Sequence, residues 1–129
     1  MKKYIAYKGS AFTIEWYFDA DGNSEVLNYF NAQSDVQQDR LLMLLKRMGD
    51  FGRISDITKF RNEGDKIFAF KPHPDRYLSF FYTGKKIIIT NAFLKKTEKL
   101  PINEKETALK IKADYEKRVK DRTYYENNI

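Results

Sequence analysis

Lys71, His73 and Arg76 fall within one short stretch, and Phe93, Lys95, Lys96 and Lys99 follow at the end of a later apolar run. A guanidinium is a planar fork that matches two phosphoryl oxygens, so Arg76 is the strongest candidate for gripping a phosphate. Lys71 would add charge beside it. Histidine is the side-chain type whose ordinary pKa lies nearest neutrality, and the only one in the chain, His73, stands between Pro72 and Pro74. Lys95, Lys96 and Lys99 suit a nucleic-acid backbone, and Phe93 offers a ring on which a base could stack. Lys59 and Arg61, with Phe60 between them, extend the cationic set. Tyr82 could stack or donate a proton. Cations interleaved with aromatics point to a polyanion as partner. Each residue has a plainer reading as well. Arg76 could form a salt bridge with Glu63, Asp65 or Asp75, His73 could be an exposed loop residue, Phe93 could be core, and the lysines could serve only solubility.

Charge distribution favours the polyanion. The chain of 129 residues carries +6. Residues 1–58 hold seven Lys/Arg against eight Asp/Glu, whereas residues 85–129 hold twelve against seven. RNA, DNA or an acidic protein surface would be drawn to the second half. Absence of cysteine excludes disulfides, thiolate catalysis and cysteine-ligated zinc. One histidine is too few for a histidine-built metal site, so no metal and no cofactor is expected. Glu15, Asp19 and Asp21 could hold a cation but read better as a strand end and its turn. No apolar run approaches membrane-spanning length, and MKKYIAYKGSAF lacks the apolar stretch of a signal peptide, so the expected location is the cytoplasm with no membrane partner.

The elements that must position these side chains are readable from pattern. FTIEWYF, Phe12 to Phe18, is rich in aromatic and β-branched types and reads as a strand ending at Asp19-Ala20-Asp21-Gly22. Ser24 caps a short helix with Val26, Leu27 and Phe30 on its apolar side. Ser34 and Gln37 form a capping box for a second helix. That helix carries Leu41, Leu44, Leu45 and Met48 at helical spacing, with Gly49 as its stop. Three strands come next, Lys66–Lys71, Arg76–Thr83 and Lys86–Phe93. Pro72-His73-Pro74-Asp75 breaks the first pair, and Thr83-Gly84-Lys85 closes the second into a hairpin. A final helix starts after Pro101, capped by Asn103 and Glu106, with Ala108, Ile111, Tyr115 and Val119 along one stripe. Residues 1–129 read as one domain, with 121–129 a frayed polar tail. The fold class is α+β.

Four segments in this order carry a resemblance: Lys59-Phe-Arg; Gly64-Asp-Lys-Ile-Phe-Ala-Phe-Lys71; Arg76-Tyr-Leu-Ser-Phe-Phe-Tyr82; and Asn91-Ala-Phe-Leu-Lys-Lys-Thr-Glu-Lys-Leu-Pro101. The chain resembles the RelE/ParE superfamily of type II toxins, in its HigB-like or phage Gp49-like branch, over residues 12–118. The Lys95-Lys96-Thr97 run is the most specific piece. Three positions depart from the common pattern: Ala69 where a glutamate is frequent, Lys71 where an arginine is, and Asn91 where a histidine is.

The resemblance implies a compact antiparallel sheet with two N-terminal helices packed on it. It implies a toxin neutralised by a helix-turn-helix (HigA-like) antitoxin, with operator DNA bound only through the antitoxin complex. It further implies a ribosome-dependent endoribonuclease that cuts mRNA and stops translation. Metal-free RNA cleavage needs a base for the 2′-hydroxyl, charge stabilisation at the phosphate and an acid for the leaving 5′-oxygen. Arg76, Lys71, His73 and Tyr82 are the candidates for these tasks. Lys59, Arg61, Phe93, Lys95, Lys96 and Lys99 are the candidates for RNA contact. The alternatives are a non-catalytic toxin that binds gyrase or a translation component, or a phage-derived accessory protein.

Overall fold

Ile87, Ile88 and Ile89 are consecutive, so a strand through them presents apolar side chains to both faces and must be covered on both. The computed structural model, which describes residues 3–125, meets that demand. Its elements are β1 (Ile5–Lys8), β2 (Thr13–Trp16), α1 (Glu25–Asn31), α2 (Asp35–Phe51), β3 (Phe60–Asn62), β4 (Phe68–Phe70), β5 (Asp75–Tyr82), β6 (Lys86–Leu94) and α3 (Ile102–Lys120). The sheet order is β1-β2-β6-β5-β4-β3, which makes β6 an interior strand. All three isoleucines are fully buried. Helices α1 and α2 cover the face of Ile87 and Ile89, with Trp16, Phe30, Leu41, Leu45, Met48 and Tyr77 in that core. Helix α3 covers the opposite face through Ala108 and Tyr115, against Leu78, Phe80 and Ile88.

The α+β class holds, but the sheet is mixed rather than wholly antiparallel. Strand β2 runs parallel to β6, with Ile14 opposite Ile87 and Trp16 opposite Ile89. The chain between them crosses over through α1 and α2, as a parallel connection requires. Two short edge strands, β1 and β3, join those expected.

Local chemistry explains the helix limits. Ser24 Oγ accepts from the Leu27 backbone N–H at 3.2 Å. Ser34 and Gln37 form the reciprocal capping box. Gly49 does not stop α2. It lies inside the helix, where an added Cβ would come within 2.6 Å of the Tyr7 ring. Termination falls instead to Gly52, left-handed at φ 73°, whose N–H donates to the Met48 carbonyl. Helix α3 starts directly after Pro101 without a side-chain cap, and Asn103 is inside its first turn. The expected fraying from Asp121 is overturned at Tyr124. That ring is only 2% exposed and its hydroxyl accepts from the Phe18 N–H at 2.9 Å. Residues 126–129 of that expected tail lie outside the described residues.

Candidate functional site

Strand alternation collects the cations. Arg61 is opposite Ala69, and Ala69 is opposite Leu78, so all three share the α3 face of the sheet. Lys71 is two residues beyond Ala69 and Arg76 two before Leu78, so they take the same face. On β6 the alternation is broken. Leu78 is opposite Asn91 but Ser79 is opposite Ile89, so Thr90 is an extra residue. This bulge flips the parity of the residues after it. Phe93, which would otherwise share the face of Ile87 and Ile89, turns to the α3 face opposite Arg76. The Lys95 N–H donates to the Pro74 carbonyl at 3.0 Å and starts the 95–100 loop across this end of the face.

The result is a small cleft of about 50 Å³ lined by Arg61, Glu63, Ala69, Lys71, Arg76, Phe93, Lys95, Thr97, Glu98, Lys99 and Leu100. Arg76 is its buried cation, 6% exposed. Its Nη1 donates to the Asp75 carbonyl at 3.0 Å and to the Pro74 carbonyl at 3.5 Å. Burial pulls the guanidinium below the ordinary arginine range, while the charges of Glu63, Glu98 and Asp75 oppose that shift. It remains a cation. Lys71 is shifted the same way, first by burial and then by repulsion from Arg76, Arg61 and Lys95, with Glu63 opposing.

The salt bridges that could have explained Arg76 are not made. Asp75 turns to the other face, where it is 2% exposed and accepts from the Tyr29 hydroxyl at 2.5 Å. Asp65 pairs with Lys105 at 2.8 Å. Among the described residues, Arg61, Lys71, Arg76 and Lys99 form no ion pair, whereas Lys95 reaches Glu98 at 3.4 Å. Cations gathered beyond ion-pair distance of the Glu63 and Glu98 carboxylates leave positive charge that suits an anion from outside.

His73 is held by two contacts. Its Nε2 lies 2.8 Å from the Thr58 carbonyl oxygen, which can only accept, so Nε2 carries the proton. Nδ1 is then left as an acceptor, 3.4 Å from Arg76 Nη2. This arrangement makes His73 a support for the guanidinium. The other candidates divide. Arg61, Lys71, Phe93, Lys95 and Lys99 join Arg76 in the cleft. Lys96 lies in the adjoining groove with Phe93, Leu94 and Ile102. Lys59 lines a different groove together with His73. Tyr82 stands apart: it is six residues from Arg76 along β5, about 20 Å in an extended strand. Its ring packs edge-on against Tyr115, 5.0 Å between centroids, so the expected catalytic role for Tyr82 is withdrawn.

Glu63, which by sequence is only a possible salt-bridge partner for Arg76, is the half-buried carboxylate of the cleft. The signal available in the sequence is its spacing of two from Arg61, which places both on one face. Asn91 is spent on structure. Its Nδ2 donates to the carbonyl and side chain of Glu104, at 3.2 and 3.0 Å, and ties β6 to α3. Glu15 and Asp19 are also engaged. Glu15 Oε1 accepts from the Tyr125 hydroxyl, and Asp19 Oδ1 accepts from the N–H groups of Asp21 and Asn23. No helix among the described residues is long and apolar enough to cross a membrane.

A family model described as "Phage derived protein Gp49-like (DUF891)" matches residues 28–113, which run from within α1 through most of α3 and include all cleft residues. None of the curated proteins matches the chain.

Proposed function

Since the chain belongs to the phage-derived Gp49-like family, which is associated with toxin–antitoxin systems, we propose that it is the toxin of a type II pair and cuts mRNA on the ribosome without a metal. The observation that carries this reading is the cluster of unpaired cations around a nearly buried arginine. A phosphate in the cleft supplies the missing negative charge. As the 2′-oxygen attacks, the phosphorane gains charge, and Arg76 stabilises it from a position fixed in advance by His73 and two carbonyls. Glu63 takes the proton of the 2′-hydroxyl, since Glu98 is exposed and faces Lys95. Lys71, with its ammonium held below the ordinary lysine range, gives a proton to the leaving 5′-oxygen. Arg61, Lys95, Lys96 and Lys99 hold the flanking backbone, with Phe93 beside the scissile phosphate. Lys59, outside the cleft, extends the cationic surface. A dedicated antitoxin covers this charge when the toxin is silent.

The test is induced expression without an antitoxin, followed by mapping of mRNA ends. New ends inside translated codons are expected, with translation arrested. Growth arrest with intact messages would overturn the nuclease and leave a binding toxin, which a gyrase supercoiling assay would then identify or dismiss.

A further inference from the structure

A groove of about 530 Å³ between α2 and the segment 54–73 shares His73 with the Arg76 support but holds none of the groups that meet the phosphate or transfer a proton in the proposed cleavage. Its floor is aliphatic, made by Met43, Leu44, Ile54 and Pro72. Arg40, Arg47 and Lys59 stand around it. The spacing of Arg40, Met43 and Arg47 puts them on one face of α2, and Met43 is 71% exposed there. The lining carboxylate, Asp56, accepts at Oδ1 from the Thr58 N–H and hydroxyl, and its charge reaches Lys59 and Arg47 without an ion pair, so the groove keeps a cationic excess. Among the described residues, none of the three cations is in an ion pair.

The chemistry selects an occupant. Among the described residues His73 is the one aromatic ring lining the groove, and it is already held at both nitrogens, so a nucleobase has no free stacking platform. A floor with a flexible thioether instead adapts to the apolar ridge of a helix. The surrounding cations favour a helix flanked by carboxylates. We propose that this groove docks an acidic amphipathic helix of the antitoxin, its apolar anchors on Met43, Leu44, Ile54 and Pro72 and its carboxylates at Arg40, Arg47 and Lys59. The source of the helix rests on the toxin reading; the docking chemistry does not.

The test titrates the isotope-labelled full chain with a synthetic helical peptide bearing leucines at i, i+3 and i+7 and glutamates beside them. A second peptide has lysine at each glutamate position. The glutamate peptide should shift backbone resonances of α2 and of segment 54–73, and the lysine peptide should not bind. Arg47→Glu and Met43→Asp, both at exposed positions, should each weaken binding about tenfold with unchanged melting. Equal affinity for Arg47→Glu and the parent, shifts confined to Lys95–Lys99, or no binding would overturn the proposal. So would displacement of the peptide by an RNA oligonucleotide. Cleavage is read separately: a chain that cuts mRNA without docking the peptide loses only the groove, and one that docks without cutting loses only the nuclease.

Discussion

Glu15 and Arg76 lie on the same face of the sheet, at opposite ends, and both are almost wholly buried, at 4% and 6% exposure. Their surroundings differ. Glu15 accepts from the Tyr125 hydroxyl at 2.8 Å and faces Lys86 Nζ at 3.7 Å. Lys86 lies over the Tyr125 ring, 4.2 Å from its centroid, and the Tyr115 and Tyr125 hydroxyls meet at 2.5 Å. Among the described residues, the buried carboxylate at that end is answered inside the protein by both a hydroxyl and an ammonium. Arg76 hydrogen-bonds to carbonyls and a histidine nitrogen, has further cations beside it, and meets the charges of Glu63 and Glu98 only at longer range, without an ion pair. Desolvating a charge is costly unless it is paired. The tyrosine end meets that cost internally and stabilises the fold. The arginine end meets it only in part, through carbonyls and carboxylates beyond ion-pair distance, which is the electrostatic condition for binding an external phosphate.

Substitutions should separate the two ends. The largest expected effect is on stability at the tyrosine end. Tyr115 is fully buried and packs on Phe80, Tyr82, Tyr124 and Tyr125. Tyr115→Ala should cost about 4 kcal/mol in a denaturant melt. Arg76→Met, which keeps the aliphatic volume and removes the unpaired charge, should change stability by no more than about 1 kcal/mol. A large loss there would show that Arg76 is a structural anchor and erase the contrast.

Next in size is salt dependence. Replacing Lys95, Lys96 and Lys99 with alanine should flatten the slope of log affinity against log salt for single-stranded RNA by about 2. An unchanged slope would remove the loop from the RNA path.

The smallest effect concerns pH, and the ends have opposite signs. Burial, with the Asp114 hydrogen bond, pushes Tyr17 up to about 12. Between its ordinary value of 10.0 and that raised value, the unfolded chain releases the proton while the folded chain keeps it, so stability falls as pH rises. Tyr17→Phe should make the alkaline decline shallower. Lys71 runs the other way. Its pKa is depressed on folding, so in the window below the ordinary lysine value the unfolded state binds more protons and stability rises with pH. In the proposed mechanism activity needs the Lys71 proton, so it should fall over that same window, and Lys71→Arg should extend it upward.

Much of this architecture was legible because short-range chemistry carried it. Ser24, Ser34 and Gln37 announced two helices, and Thr83-Gly84-Lys85 announced the hairpin. The features that escaped depend on distant partners. Strand β1, IAYK, has only four residues and exists through pairing with β2. The parallel β2–β6 pair is set by the crossover, and Gly49 is required by the approach of Tyr7 rather than by a helix end. The cleft was half legible. Arg76 and its neighbouring cations stood out as types, but the Thr90 bulge that turns Phe93 toward them has no residue signature. Tyr82 looked suitable by type and failed by place.

In the proposed reaction Arg76 acts on the transition state and not on the fold. The direct measurement is single-turnover cleavage of A-site mRNA on purified ribosomes by the parent and by Arg76→Ala, each confirmed folded by circular dichroism and saturating for ribosome binding. Loss of one preorganised donor to a developing oxyanion costs about 3 kcal/mol, so the variant should cut about a hundredfold more slowly while binding ribosomes as the parent does. A folded, ribosome-bound Arg76→Ala chain that cuts at the parental rate would contradict the account.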